Sequence, residues 1–284
     1  MRRANTREGW HAPCDNAAVN PYQLAIGQTL SFLTDVLRGR HRVLEVGCGR
    51  GDVARRLGTS GVHVTALDVQ LPDPSPSPGV AFVERDFLHF DAPPFDAIVF
   101  TSSLHHISPL AAAIDRAYRL LVPGGLLVAD DFDLEAPNVE TLRWYYEIQD
   151  LLAAAELFSS EHVDPQPGAP HGSHHGSHHA SHQASHQASP PAAALDGDVV
   201  QRWRDAHTHD PPLHTGVQMR RAIAERFDLH DVHGAAYLYR YITKHLPHDA
   251  RGVAVAQHMY MSERRGIAEG TLTAVGLGIV AVRA

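Results

Sequence analysis

At 284 residues and 44% hydrophobic content, the chain has room for one large α/β domain with insertions, or at most two domains. A formal net charge of −8, a pI near 6.2 and a single lysine, Lys244, give no basic field for a polyanion, so nucleic acid is excluded as an expected partner. With only Cys14 and Cys48, no apolar leader and no stretch of about 18 apolar residues, the chain reads as a reducing, cytoplasmic protein that does not enter a membrane.

The first expected element is a helix. Asn20 followed by Pro21 is a good helix start, and "PYQLAIGQTLSFLTDVLRG" places Leu24, Leu30, Leu33 and Leu37 near helical spacing. Five strand candidates follow, alternating with helical stretches: "RVLEV", "VHVTALDV", "AFVERDF", "FDAIVFTSS" and "GGLLVADDF". Such alternation predicts a parallel sheet with helices on both faces. A late helix, "GVQMRRAIAERFDL", and two more strand candidates, "AAYLYRYI" and "LTAVGLGIVAV", close the chain.

Between Phe132 and His214 the connection is far longer than an ordinary αβ loop, so an insertion is expected there. In "NVETLRWYYEIQDLLAAAEL", Asn138 can cap a helix whose apolar face would be Trp144, Ile148, Leu151 and Ala155, with Tyr145 and Tyr146 toward a different face. This helix is expected to form part of a cap over a ligand. From His171 to Pro190 runs the tandem tetrapeptide "HGSH HGSH HASH QASH QASP". Its Gly, Ser and Pro content predicts a disordered tether within about 165–192, although His174, His178, His182 and His186 at four-residue spacing could chelate a metal on a helix. The chain thus divides into an N-terminal helical segment (1–38), a nucleotide-binding core (39–133), a helical cap with the histidine insert (134–213) and the rest of the α/β core (214–284).

The stretch "VLEVGCGRGD" runs from a strand into a glycine loop. A dinucleotide fingerprint is G-x-G-x-x-G with the pyrophosphate on the helix N-terminus. Here Gly47, Gly49 and Gly51 are spaced G-x-G-x-G, Glu45 precedes them, and Asp52 occupies the first helical turn. Two carboxylates would repel a pyrophosphate, and Asp52 already answers the helix dipole. The loop favours a ligand that carries positive charge and no phosphate, such as S-adenosylmethionine with its sulfonium and ammonium.

Glu45 through Gly51 closely resemble the first motif of the class I S-adenosylmethionine-dependent methyltransferases, in their small-molecule branch, and further positions agree. "FDAIVFTSSLHHI" resembles the family's fourth strand and following segment, and "AYRLLVPGGLLVADDF" its helix, Pro-Gly-Gly turn and fifth strand. The resemblance covers about residues 40 to 133. It implies a Rossmann-like, doubly wound sheet of seven strands, mostly parallel with the last antiparallel, and helices on both faces. It also implies a donor site made of Glu45, Gly47, Cys48, Gly49, Gly51, Asp68, Val69, Asp86, Phe87 and Thr101, with Asp68 on the ribose hydroxyls and Asp86 and Phe87 holding and stacking on adenine. Cys48 reads as a small space-filler and not a nucleophile.

Where nucleic-acid amino methyltransferases carry D/N-P-P-Y/F, this chain has "TSSL", which together with the acidic balance argues for a small-molecule acceptor. No metal is expected in catalysis. His105 and His106 follow the fourth strand and Asp131 ends the fifth, so the expected base is His106, with His105, Asp131 and His214 as rivals; the histidine pair may equally only order its loop. Two other functions fit less well: a nicotinamide or flavin oxidoreductase, which Asp52 and the early Gly51 oppose, and a non-catalytic module that binds the cofactor or handles metal through its histidines.

Overall fold

The computed structural model describes residues 20–72, 75–158 and 196–284; the tetrapeptide repeat lies outside them. Asn20 accepts the Tyr22 backbone N–H at 2.9 Å and opens α1 (Tyr22–Val36), which buries Ala25, Ile26, Thr29 and Leu33. There follow β1 (Arg42–Val46), α2 (Asp52–Thr59), β2 (His63–Asp68), β3 (Val80–Glu84), β4 (Phe95–Thr101), α3 (Leu110–Leu120) and β5 (Leu121–Phe132). The insertion contributes α4 (Val139–Ala154) and α5 (Asp196–Ala206), and α6 (Gly216–Ala224), β6 (Asp228–Ala235), α7 (Leu238–Thr243), α8 (Ala250–Ala268) and β7 (Gly276–Val282) complete the chain.

The seven strands form one sheet in the order β3-β2-β1-β4-β5-β7-β6. β7 runs antiparallel to both neighbours, and the remaining pairs are parallel. This is the Rossmann-like doubly wound sheet expected of the sequence. Strand order reverses between β1 and β4, which opens a crevice at their C-terminal ends. Side chains alternate along each strand. Leu44, Val46, Ile98, Phe100, Leu127 and Ala129 pack against α3 and α6 through Ile114, Met219 and Ile223, whereas Val43, Ala97, Val99 and Val128 pack against α1 and α2 through Leu33, Val53 and Leu57. A third core, beyond the strand ends, joins α4, α5, α7 and α8 through Leu142, Tyr145, Trp203, Tyr239 and Met259.

Three expectations are corrected. "AAYLYRYI" is no strand: Leu238, Tyr239 and Ile242 form the buried face of α7, because Glu263 of α8 places its buried carboxylate on the N–H groups of Tyr237, Leu238 and Tyr239 at 2.7 to 3.0 Å and so satisfies the open N-terminus of that helix. The strand is instead the preceding polar run, an exposed edge held to β7 by its backbone. On α4, Asn138 caps as expected by accepting the Thr141 N–H at 2.9 Å, but the buried face is Leu142, Tyr145, Tyr146 and Leu152 while Leu151 is exposed. The cap of α5 and α7 draws the tyrosines inward. Finally, Asp228 and Leu229 leave the late helix and start β6.

Asp130 faces the α1 side of the sheet. It accepts from Thr29 Oγ1 at 2.6 Å and from both terminal nitrogens of Arg240 at 3.0 and 3.2 Å, all buried or nearly so. Removing one partner of a buried ion pair costs about 3 to 5 kcal/mol because the other charge is left uncompensated. Arg240→Met should therefore lower unfolding stability by about that much, with much of the loss recovered in Asp130→Asn/Arg240→Met. Urea denaturation checks this; additive losses in the double variant would show that the pair does not join α1 and α7 to the sheet.

Candidate active site

All three loop glycines take positive φ: 72° at Gly47, 53° at Gly49 and 76° at Gly51, a region costly for residues with a Cβ. A Cβ on Gly47 would also strike Ser103, and one on Gly51 the Phe82 ring. The loop is tied down by the Gly47 and Cys48 N–H groups on the Leu67 carbonyl at 2.8 and 3.1 Å and by the Gly49 N–H on Asp68 Oδ2 at 2.8 Å. Asp68 Oδ1 accepts from the Gln70 N–H at 3.2 Å. Next to it Val69 is 53% exposed, an open apolar surface at the end of β2. Cys48 is buried, which drives its thiol pKa upward, with Glu45 and Asp68 adding to the effect.

Glu45 is almost wholly buried. Thr101 donates to Oε1 at 2.8 Å, but Oε2 completes no hydrogen bond among the described residues. Burial pushes the carboxyl up to about 7, with Asp52 and Asp68 adding to the rise and Thr101 and the Ala54 backbone opposing it. An unmet carboxylate oxygen beside a glycine cradle, with two further acids nearby, is a place for a cation. Tyr22 of α1 comes to the same spot: its pKa is raised by burial and by Asp52 and Glu45.

Asp86 is exposed and caps a short 3-10 turn, accepting from the Leu88 N–H at 2.8 Å and meeting His89 at 2.9 Å. Phe87 is buried, its ring T-shaped to that of Phe100 with centroids 5.6 Å apart.

After β4 the chain makes a sharp turn. Ser102 holds φ of 52° and accepts from Tyr237 Oη at 2.8 Å, and Ser103 Oγ donates to the Val46 carbonyl at 2.6 Å. His105 and His106 lie in the next turn. His105 Nδ1 meets Asp131 Oδ1 at 2.6 Å with both side chains buried. Asp131 also accepts from the backbone of Leu104 at 3.1 Å and Phe132 at 2.9 Å. Burial alone would raise the Asp131 pKa, but the charge and hydrogen bond of His105 and these N–H groups hold it below the usual range. An ionised carboxylate only accepts, so Nδ1 carries the proton that faces it, and Nε2 is the ring nitrogen left for another partner.

His106, the expected base, lies beside it. That ring has contacts with His105 and His209 at centroid distances of 4.0 and 5.4 Å, and burial, then His105, push its pKa down to about 3, which makes it a poor proton acceptor. His214 holds the turn: its backbone N–H donates to the His105 carbonyl at 2.9 Å and its Nε2 meets the Ile107 carbonyl at 3.1 Å. Asp131 acts on His105 and does not face a ligand.

His105 and His106 open onto a cavity of about 360 Å³ whose walls include Phe132, Tyr145, Trp203, His207 and Tyr241. Among the described residues no cluster of His, Cys, Asp or Glu is arranged to hold a metal.

The family model for the methyltransferase domain matches residues 20–164, just over half of the chain. The chain belongs to the methyltransferase family. S-adenosylmethionine is the methyl donor of this family, and the glycine cradle with the unmet Glu45 oxygen fits its cationic end. An uncharacterized methyltransferase of Mycobacterium bovis is 31% identical over 115 residues, 38% of this chain and 57% of the relative. A ubiquinone biosynthesis O-methyltransferase of Xylella fastidiosa is 36% identical over 98 residues, 30% of this chain and 39% of the relative. The aligned part thus spans little more than half the length of these curated relatives at most. The solved phosphoethanolamine N-methyltransferase 2 of Haemonchus contortus, in complex with S-adenosyl-L-methionine, shares the fold: TM-score 0.51 at 14% identity, over 90% of this chain and 52% of that one.

Some site residues of this methyltransferase carried no usable sequence signal. Tyr22 sits in an ordinary helix pattern and reaches the loop only through the fold. Trp203 on α5 and His207 just past its end, with ring centroids 3.9 Å apart, were legible as a pair only had α5 itself been recognised.

Two neutral imidazoles are stored beside the cavity. Burial pushes His106 down to about 3 and His207 to about 4, against about 6.5 in an unfolded chain. Between these values the unfolded chain binds protons that the folded one refuses, so stability falls as pH drops through 6.5 toward 4. Melting curves across this window should show a shallower decline for His106→Gln/His207→Gln than for the parent. Identical slopes would mean that neither ring is held neutral.

Proposed function

We propose that the chain transfers a methyl group from S-adenosylmethionine to a small-molecule acceptor. The observation that carries this is the buried Glu45 carboxylate, one oxygen unmet, at the edge of a loop of three positive-φ glycines. In this reading Glu45, Gly47, Cys48, Gly49 and Gly51 hold the cationic end of the donor, with Thr101 fixing the Glu45 rotamer. Asp68 takes the ribose hydroxyls with the lone pairs its two backbone contacts leave over, Val69 covers an apolar face of the nucleoside, and Asp86 approaches the adenine. Bound there, the donor supplies an electrophilic methyl carbon.

The rest falls to the protein's own groups. Methyl transfer needs alignment, exclusion of water and, for a weak nucleophile, removal of a proton. The cavity of about 360 Å³ beyond the strand ends provides the first two, and His105, oriented by Asp131, is the residue for the third. A cavity of this size takes a small molecule and no nucleic-acid duplex, and the net charge of −8 agrees with that. A cytoplasmic setting belongs to the same proposal, supported by the unpaired thiol of Cys48; among the described residues no helix is long and apolar enough to cross a membrane.

Calorimetry with S-adenosylmethionine tests the donor site. A cation binds the ionised carboxylate, so affinity should rise with pH until Glu45, held at about 7, is deprotonated, falling by up to about tenfold per unit below that point. Glu45→Gln should bind more weakly and lose this pH dependence. No binding by the parent, or the same profile in the variant, would contradict the reading.

A further inference from the structure

The cavity lined by His105 and His106 has two chemically different parts, and together they define what it takes. Its walls are aromatic: Tyr145 and Trp203 meet at 88° and Trp203 and Tyr241 at 90°, with centroids 6.1 Å apart in both pairs, so faces and edges surround a slot. A volume of about 360 Å³ lies at the small end of ligand pockets, enough for one or two fused rings. Flat rings gain most from such walls through stacked and edge-on contacts.

Charge narrows the class further. The lining contains Arg202 and Lys244 and no aspartate or glutamate. An aromatic box could in principle receive an ammonium group, but these faces already carry the protein's own cations: Arg202 lies 4.1 Å from the Tyr146 centroid and Lys244 5.8 Å from that of Tyr241. An amine held as a cation would meet like charge and no acidic side chain in the lining. A ring bearing a carboxylate meets the Arg202 guanidinium, whose own contacts to Asp150 and Gln149 are long, at 3.4 Å each.

The third observation is the His105 to Asp131 pair, 2.6 Å apart and buried. A neutral amine attacks through a lone pair it already has, whereas a hydroxyl is a weak nucleophile until it loses its proton. A buried carboxylate on His105, a residue of the cavity wall, suits the second kind.

Resting on the methyltransferase reading, we infer that the acceptor is an aromatic hydroxyl compound bearing an anionic group, methylated on oxygen, with Arg202 holding the anion and His105 removing the proton. The O–H proton passes to His105 Nε2 as the oxygen forms its bond to the methyl carbon. The sulfur–methyl bond breaks with its electron pair left on sulfur, giving a neutral thioether. The imidazolium, balanced by Asp131, then returns its proton to water. No other reactant is needed.

The test incubates the full chain with methyl-labelled S-adenosylmethionine and four probes: protocatechuate and catechol, which carry ring hydroxyls with and without a carboxylate, and anthranilate and benzylamine as matched amines. Methyl ethers should form from the two hydroxylated rings and little or nothing from the amines. Arg202→Gln should raise KM about tenfold for protocatechuate and leave that for catechol near the parent's, as expected for loss of one charge-assisted contact. His105→Gln should lower kcat by about 10² to 10⁴ while calorimetry shows protocatechuate still bound. Transfer to the amines alone, methylation on ring carbon, or donor binding with no transfer to either hydroxylated ring would overturn the acceptor class and leave the donor site standing. Failure to bind the donor at all would instead strike the underlying methyltransferase reading.

Discussion

Two neighbouring carboxylates at the end of β5 govern how the molecule is assembled around its site. Successive strand residues point to opposite faces, so Asp130 and Asp131, adjacent in sequence, serve different halves of the protein. Asp130 ties α1 and α7 to the sheet through Thr29 and Arg240. Asp131 faces the other way and takes His105 together with the backbone of the turn after β4. Both are buried, and a buried carboxylate left without partners is expensive. Each therefore enforces a specific arrangement of what surrounds it, and the two arrangements meet where β4 and β5 end.

The two ends of the resulting crevice differ in electrostatic character. Toward β1 and β2 the acids Glu45, Asp52 and Asp68 gather around the glycine loop, and burial, with the neighbouring acids adding to it, keeps Glu45 protonated more readily than an ordinary carboxyl. Toward the cap, imidazoles, tyrosines and two side-chain cations line the cavity. A cationic ligand is drawn to the first and a neutral or anionic one to the second. This division orders two reactants without any moving part, since each is repelled from the other's place.

Much of this was legible in the sequence where a local rule and the fold agree. The G-x-G-x-G loop, its flanking acids and the alternation of β1 through β5 each follow from short-range chemistry, and the sheet places them as expected. The reading failed where a distant partner overrides local preference. "AAYLYRYI" has the alternation of a strand, and only Glu263, 26 residues beyond Tyr237, makes a helix of it. The polar strand β6 has no hydrophobic period because it is an exposed edge defined by its backbone pairing with β7. His106 is preferred to His105 in sequence alone, although both follow β4; the partner that distinguishes His105, Asp131, comes from another strand.

The account stands on His105 being held as a base by Asp131. Nitrogen-15 NMR of the histidine side chains at neutral pH reads this directly, because the two ring nitrogens report separately whether each carries a proton. The account predicts a proton on Nδ1, a bare Nε2, and loss of this preference in Asp131→Asn. A proton on Nε2 with Nδ1 bare, or a doubly protonated ring at neutral pH, would contradict it, since neither form presents an acceptor to the cavity.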